Sequence, residues 1–167
     1  IRYGKLGASH EQVKAAAELK QKKYRQQRGL FLAEGLRTVE EAVAYNAAES
    51  IFYTAIEDDR TRAVLEQAAA KGIKLFCVAE NVMKKIADTE TPQGIIAIAK
   101  AIVFKKDAID KKGRYIALEN IQDPSNLGAV ARTAEALGVS GIIVSDNGCD
   151  PYSPKSLRAS MGTLLRM

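Results

Sequence analysis

The sequence predicts an α/β fold in two units, and three observations carry that prediction. Short apolar runs of strand length alternate with segments of helical period from residue 10 to residue 99. A stretch rich in lysine and aspartate, Phe104 to Gly113, then interrupts the pattern as a linker or solvated connector would. Beyond it come a strand, a helix and a strand in the order of a βαβ unit, whose strands run parallel. The units are therefore drawn at residues 1–100 and 114–167, with the linker at 101–113.

Each element has its own signal. Ser9-His10-Glu11-Gln12 has the form of a capping box, and Val13, Ala16, Ala17, Lys20 and Tyr24 recur at helical spacing until Gly29, so one helix is predicted over about residues 10–28. Leu30–Ala33 is a short apolar run fit for a strand, and Leu36, Val39 and Val43 mark one face of the next helix. Ile51–Thr54 reads as a strand, 58–71 as a helix closed by Gly72, and Lys74–Val78 as a strand. A short helix near 81–87, the turn Thr91-Pro92-Gln93-Gly94 and the strand Ile95–Ala99 complete the first unit. In the second, Arg114–Glu119 is a strand, Gly128 to Leu137 a helix stopped by Gly138, and Gly141–Ser145 a strand.

Composition excludes several classes. With 167 residues, 47% of them hydrophobic, the chain can bury a core, and no apolar run approaches the roughly 20 residues of a membrane span. The start lacks the apolar block of a signal peptide, so the expected location is the cytoplasm. Cys77 and Cys149 lack metal-ligand spacing and His10 is the only histidine, so neither a metal site nor a Ser-His-Asp or Cys-His machinery is expected. The thiols are read as reduced, and His10 as an exposed residue of the first helical turn. Net charge is +5, yet residues 1–30 alone carry +6 through Arg2, Lys5, Lys14, Lys20, Lys22, Lys23, Arg25 and Arg28 against Glu11 and Glu18. Such a field suits a polyanion such as nucleic acid; a solvated helix face is the plainer alternative.

The loop between the strand and helix of the βαβ unit, Glu119 to Ala134, is the most specific segment. Loops at the carboxyl ends of parallel strands are where open α/β sheets bind ligands. Asn126 is suited to cap the helix, Gly128 admits a ligand or a second backbone close to its first turn, and the free N–H groups of a helix start favour an anion. Arg132, six residues after Asn126, could grip a phosphate with its fork. Read singly, Asn120, Asp123 and Asn126 are turn formers and Arg132 a surface cation.

Read together, Asn120, Asp123, Pro124, Asn126, Gly128, Arg132, Thr133 and Ala134 match every fixed position of the first signature of the SpoU, or TrmH-type, RNA 2′-O-ribose methyltransferases. The segment Tyr152-Ser153-Pro154-Lys155-Ser156-Leu157-Arg158-Ala159-Ser160-Met161-Gly162 resembles the second recurrent stretch of that family. The first unit resembles its accessory domain through Lys23, Arg25, Gly29, Phe31, Glu34-Gly35, Arg37, Glu41-Ala42 and Pro92-Gln93-Gly94. This resemblance implies a ribosomal-protein-like α/β sandwich that holds RNA, followed by the start of a SPOUT-type parallel α/β domain with a trefoil knot. It also implies S-adenosylmethionine as cofactor, a ribose 2′-hydroxyl of tRNA or rRNA as acceptor, and a homodimer.

The resemblance assigns catalysis to Asn126 and Arg132 and structural roles to Asn120, Asp123, Pro124 and Gly128. A guanidinium stays protonated at any working pH, so Arg132 is read as a phosphate clamp or alkoxide stabiliser and not as a base. Lys23, Arg25, Arg28, Arg37, Lys155 and Arg158 are the RNA-contact candidates. Glu34-Gly35 is read as a turn with an acidic helix start, and Ser160 as a small residue for close packing. The family's later motifs, which build the knot and most of the cofactor pocket, do not occur before Met167. The sequence is therefore read as the amino-terminal part of a longer protein, expected to bind RNA weakly by itself and not to methylate it. Two other classes compete: a noncatalytic RNA-binding protein, and an unrelated α/β enzyme holding a nucleotide phosphate at the Asn126–Gly128 helix start.

Overall fold

The computed structural model describes residues 6–56, 58–102, 104 and 109–167. Arg2 and Lys5 of the basic segment, and Lys105, Lys106 and Asp107 of the predicted connector, lie outside the described residues. The chain forms two compact units, Ile1–Ala101 and Ile102–Met167.

In unit 1 the strands β1 (Leu30–Glu34), β2 (Ala48–Tyr53), β3 (Lys74–Cys77) and β4 (Ile95–Lys100) form one sheet in the order β1-β4-β2-β3. β4 runs antiparallel to both neighbours, and β2 and β3 are parallel. Because side chains alternate across a strand, the sheet has two apolar faces and needs cover on each. Leu32, Phe52, Ile96 and Ile98 pack against Val13 and Ala16 of α1 (Glu11–Glu18) and Val82, Met83 and Ile86 of α5 (Glu80–Ile86). The alternate residues Phe31, Ala33, Ile51 and Ala97 are buried as well, on the side of α3 (Leu36–Ala44) and α4 (Asp59–Ala70). Each large side chain so buried contributes about 1.5–3 kcal/mol. The result is a three-layer sandwich.

The predicted first helix is in fact two, α1 and α2 (Lys22–Arg28), broken at Leu19 to Gln21. Leu19 is buried there, and its carbonyl and that of Lys20 are both taken by the Arg25 guanidinium at 2.8 Å. A buried cation inside the next helix thus satisfies carbonyls that a continuous helix would have bonded itself. Gly29 ends α2 at φ 64°, as a left-handed stop requires. The cap of α1 is His10, whose Nδ1 accepts the Gln12 N–H at 3.2 Å; His10 is exposed, one position ahead of the helix.

Unit 2 holds β5 (Tyr115–Leu118) and β6 (Gly141–Val144), paired in parallel with Tyr115 opposite Gly141 and Leu118 opposite Val144. Between them runs α6 (Pro124–Ala136), which starts four residues earlier than Gly128 because Pro124 takes its first position. α7 (Pro154–Ala159) and a 3-10 turn, Thr163–Leu165, pack on α6 and bury Leu127, Ala131, Ala134, Leu157, Leu164 and Leu165. The two strands remain partly open, with Ile143 49% exposed.

Candidate active site

The signature loop leaves β5 through Asn120, whose φ of 52° is left-handed, a conformation that asparagine tolerates better than most side chains. Its N–H donates to the Ser145 hydroxyl at 2.8 Å, and its Oδ1 accepts from Gln122 Nε2 at 2.6 Å. Holding a residue in that region costs of order 1 kcal/mol and persists where the surroundings fix it. Three residues on, Asp123 caps α6 by accepting the Ser125 N–H at 2.7 Å. The cap is therefore Asp123 and not Asn126, which occupies the third helical position and is exposed. This also corrects the anion reading of the helix start: Pro124 has no N–H, and a carboxylate already sits on the next one.

Gly128 is a packing residue. A Cβ built on it would lie 2.5 Å from both the carbonyl carbon and Cβ of Ala159 and 2.7 Å from the Ser160 nitrogen. The close approach is thus made by the α7 backbone, and Ser160, fully buried, donates its hydroxyl to the Leu157 carbonyl at 3.0 Å.

With one face of α6 committed to α7, Ser125, Asn126, Ala129, Arg132 and Thr133 remain exposed. Asn126 and Arg132 sit about 9 Å apart along the axis and about 120° apart around it. Among the described residues neither side chain has a hydrogen bond or ion pair, which leaves an amide and a guanidinium available to a ligand. Cys149 is half-buried, and burial pushes its thiol above the ordinary range, which suits a protonated, unreactive sulfur.

The expected RNA contacts divide sharply. Lys23 and Arg37 are exposed in unit 1, and Lys155 is exposed in unit 2 at the second position of α7. Arg158 is half-buried on α7. The reading of Arg25 as an RNA contact gives way to a scaffold role, since it is only 7% exposed and binds the Leu19 and Lys20 carbonyls. Arg28 is engaged in a similar way: it pairs with Glu18, donates to the Ala15 carbonyl at 3.0 Å, and lies over the Tyr24 ring at 5.1 Å. Lys20 donates to the Lys85 carbonyl at 2.8 Å, near the end of α5.

Glu34 is structural but not an acidic helix start. It is the buried last residue of β1 and accepts the N–H groups of Asp88 and Thr89 and the Thr89 hydroxyl. The start of α3 is instead served by Gln93, whose Oε1 accepts the Leu36 N–H at 3.2 Å. A cavity of about 430 Å³ in unit 1 opens beside this loop, between Thr54, Asp58, Glu80, Lys84, Glu90 and Gln93. Its three carboxylates against one lysine make it a poor phosphate site.

Sequence reasoning missed Ser145, Asn147 and Gln122, which tie the loop after β5 to the loop after β6. The available signal was a serine directly after a parallel strand and an asparagine two residues further on, where binding loops gather.

Known proteins give this arrangement its family. Residues 10–97 match the MRM3-like substrate binding domain, and residues 113–167 match the SpoU rRNA Methylase family. The chain belongs to the SpoU rRNA methylase family and carries an MRM3-like substrate-binding domain ahead of the signature unit. An uncharacterized tRNA/rRNA methyltransferase of Synechocystis is 34% identical over 92% of this chain and 56% of its own length. The 23S rRNA guanosine 2′-O-methyltransferase RlmP of Bacillus subtilis is 30% identical over 93% of this chain and 60% of its own. The crystal structure of an AdoMet-bound rRNA methyltransferase from Sinorhizobium meliloti superposes with a TM-score of 0.83 at 30% identity, covering 99% of this chain and 62% of that one. The chain thus spans between half and two thirds of the length of these relatives.

Proposed function

We propose that this chain supplies the RNA-holding unit and the signature segment of an S-adenosylmethionine-dependent methyltransferase that modifies a ribose 2′-hydroxyl in rRNA or tRNA. The observation that carries the reading is the full signature, Asn120 to Ala134, at the carboxyl end of a parallel strand, with Asn126 and Arg132 free of partners among the described residues. Relatives of the same family named as RNA methyltransferases, one of them solved with AdoMet, support it.

A 2′-hydroxyl is a poor nucleophile, and the chain's own residues act on it by orientation and electrostatics. Arg132 clamps the neighbouring phosphate or stabilises the negative charge developing on the oxygen, whose proton passes to solvent water, and Asn126 orients the sugar or the guanidinium. S-adenosylmethionine supplies the methyl group when bound. Among the described residues the second unit presents a two-stranded sheet with Ile143 exposed and no enclosed pocket for such a cofactor, so no residue is assigned to it. Lys23, Arg37, Lys155 and Arg158 are the proposed RNA contacts. Homodimer formation through the second unit and a cytoplasmic location complete the proposal. Among the described residues no helix is long and apolar enough to cross a membrane.

The test is Arg132→Lys in the full-length protein, which keeps the charge and removes the bidentate fork. Methyl transfer to rRNA should fall roughly 100-fold, with the KM for RNA changed far less. Near wild-type turnover by that variant would remove Arg132 from the reaction.

A further inference from the structure

Four side chains that close a ring between two loops are left without a role by the eight fixed signature positions, except for Asn120. The Asn120 N–H donates to Ser145 Oγ at 2.8 Å, and the Ser145 hydroxyl donates in turn to Asn147 Oδ1 at 2.6 Å. Gln122 Nε2 donates both to Asn120 Oδ1 at 2.6 Å and to the Asn147 carbonyl at 2.8 Å. The hydroxyl is used once as acceptor and once as donor, and the amide nitrogen of Gln122 spends both of its hydrogens, so the polar atoms match without a frustrated group. A second tie runs beside the ring, from the Cys149 N–H to the Ile121 carbonyl at 2.7 Å.

We propose that Gln122, Ser145 and Asn147 are positioning residues: their clasp holds Asn120 in its left-handed turn and thereby sets the direction in which α6 presents Asn126 and Arg132. The lever is short. Only Ile121 and Gln122 separate Asn120 from the Asp123 cap, so a change in the Asn120 torsion swings the entry of α6. A left-handed torsion at a residue other than glycine is retained where neighbouring groups over-determine it. The ring lies at the carboxyl ends of both parallel strands, on the side where an open α/β sheet receives its ligand. Asn120, Gln122 and Asn147 are exposed, so the clasp adds little to the core and its purpose is orientation.

This inference rests on the methyltransferase reading, and its test separates the two. In the full-length protein, Gln122→Ala and Ser145→Ala should each lower kcat roughly tenfold, while the KM for RNA stays within about twofold. Ser145→Thr, which keeps the hydroxyl, should restore kcat. Gln122→Glu should not, because a carboxylate has no hydrogen for the Asn147 carbonyl. Hydrogen exchange gives a readout independent of activity: the Asn120 amide should be protected in the wild type and lose protection in Ser145→Ala. Lost protection with unchanged kcat would overturn the positioning role, as would an unprotected amide in the wild type or failure of Ser145→Thr to rescue. Absence of methyl transfer by the wild type would instead overturn the methyltransferase reading and the positioning role built on it, leaving the clasp itself measured by exchange.

Discussion

At Gly128 two opposing effects act on one atom, and magnitudes decide between them. Alanine is about 1 kcal/mol better than glycine inside a helix, so propensity alone favours Gly128→Ala. The added methyl would meet the Ala159 backbone and Cβ at 2.5 Å, and these belong to a packed helix that must move to make room. Overpacking of that kind costs about 1–3 kcal/mol, and a backbone neighbour puts the cost at the upper end. Gly128→Ala is therefore expected to destabilise the protein by about 1–2 kcal/mol in urea unfolding, whereas Ala129→Gly, on the exposed side of the same helix, should cost only the propensity difference. A glycine at this signature position was legible as a close approach. Its neighbour, a second helix and not a ligand, was not, because the sequence carries no sign of which backbone comes near.

The elements themselves were largely legible, since each strand has a compact apolar run and α4 an acidic cap that accepts the Thr61 N–H at 2.8 Å. The errors fell where one side chain decides an element's boundary. A continuous helix over about residues 10–28 was the natural reading of periodicity, and no local rule places Arg25 inside to hold the carbonyls of a break. The start of α6 was read four residues late because Asn126 and Asp123 are both good caps, and only Pro124 at the first turn decides between them. The far end of α6 carries a testable pH dependence. The Arg166 guanidinium holds Glu135 below the ordinary carboxylate range, with 2.6 and 2.7 Å contacts, and Thr163 adds a hydrogen bond. A depressed folded pKa means stability present above the unfolded value and lost as pH falls through the folded one. Glu135→Gln should thus destabilise the protein at about pH 7, and the gap to wild type should narrow as pH falls below the ordinary carboxylate range and close once the folded carboxyl is protonated. A constant gap across that range would show that the pair contributes by packing alone.

For the molecule as a whole, the amino-terminal charge is a warning against reading partners from composition. Residues 1–30 hold the excess cations, yet Lys20, Arg25 and Arg28 spend their hydrogen bonds on carbonyls or a glutamate of their own unit. A cation whose hydrogens are spent in this way helps hold the fold and has fewer donors to offer a phosphate. Exposed Lys23 and Arg37 have no such commitment to a carboxylate or carbonyl among the described residues. The distinction can be measured, because each phosphate neutralised adds about −0.7 to the slope of log affinity against log salt for a single strand. Lys23→Ala with Arg37→Ala should reduce that slope for rRNA by about 1.4 in total and leave the unfolding midpoint nearly unchanged. Arg25→Ala should do the reverse, costing about 2–4 kcal/mol of stability for two charge-assisted bonds, one to a buried and one to a part-buried carbonyl, with the salt slope of the protein that remains folded unaltered. Should Arg25→Ala flatten the slope while Lys23→Ala and Arg37→Ala leave it intact, the assignment of these cations between scaffold and RNA would have to be exchanged.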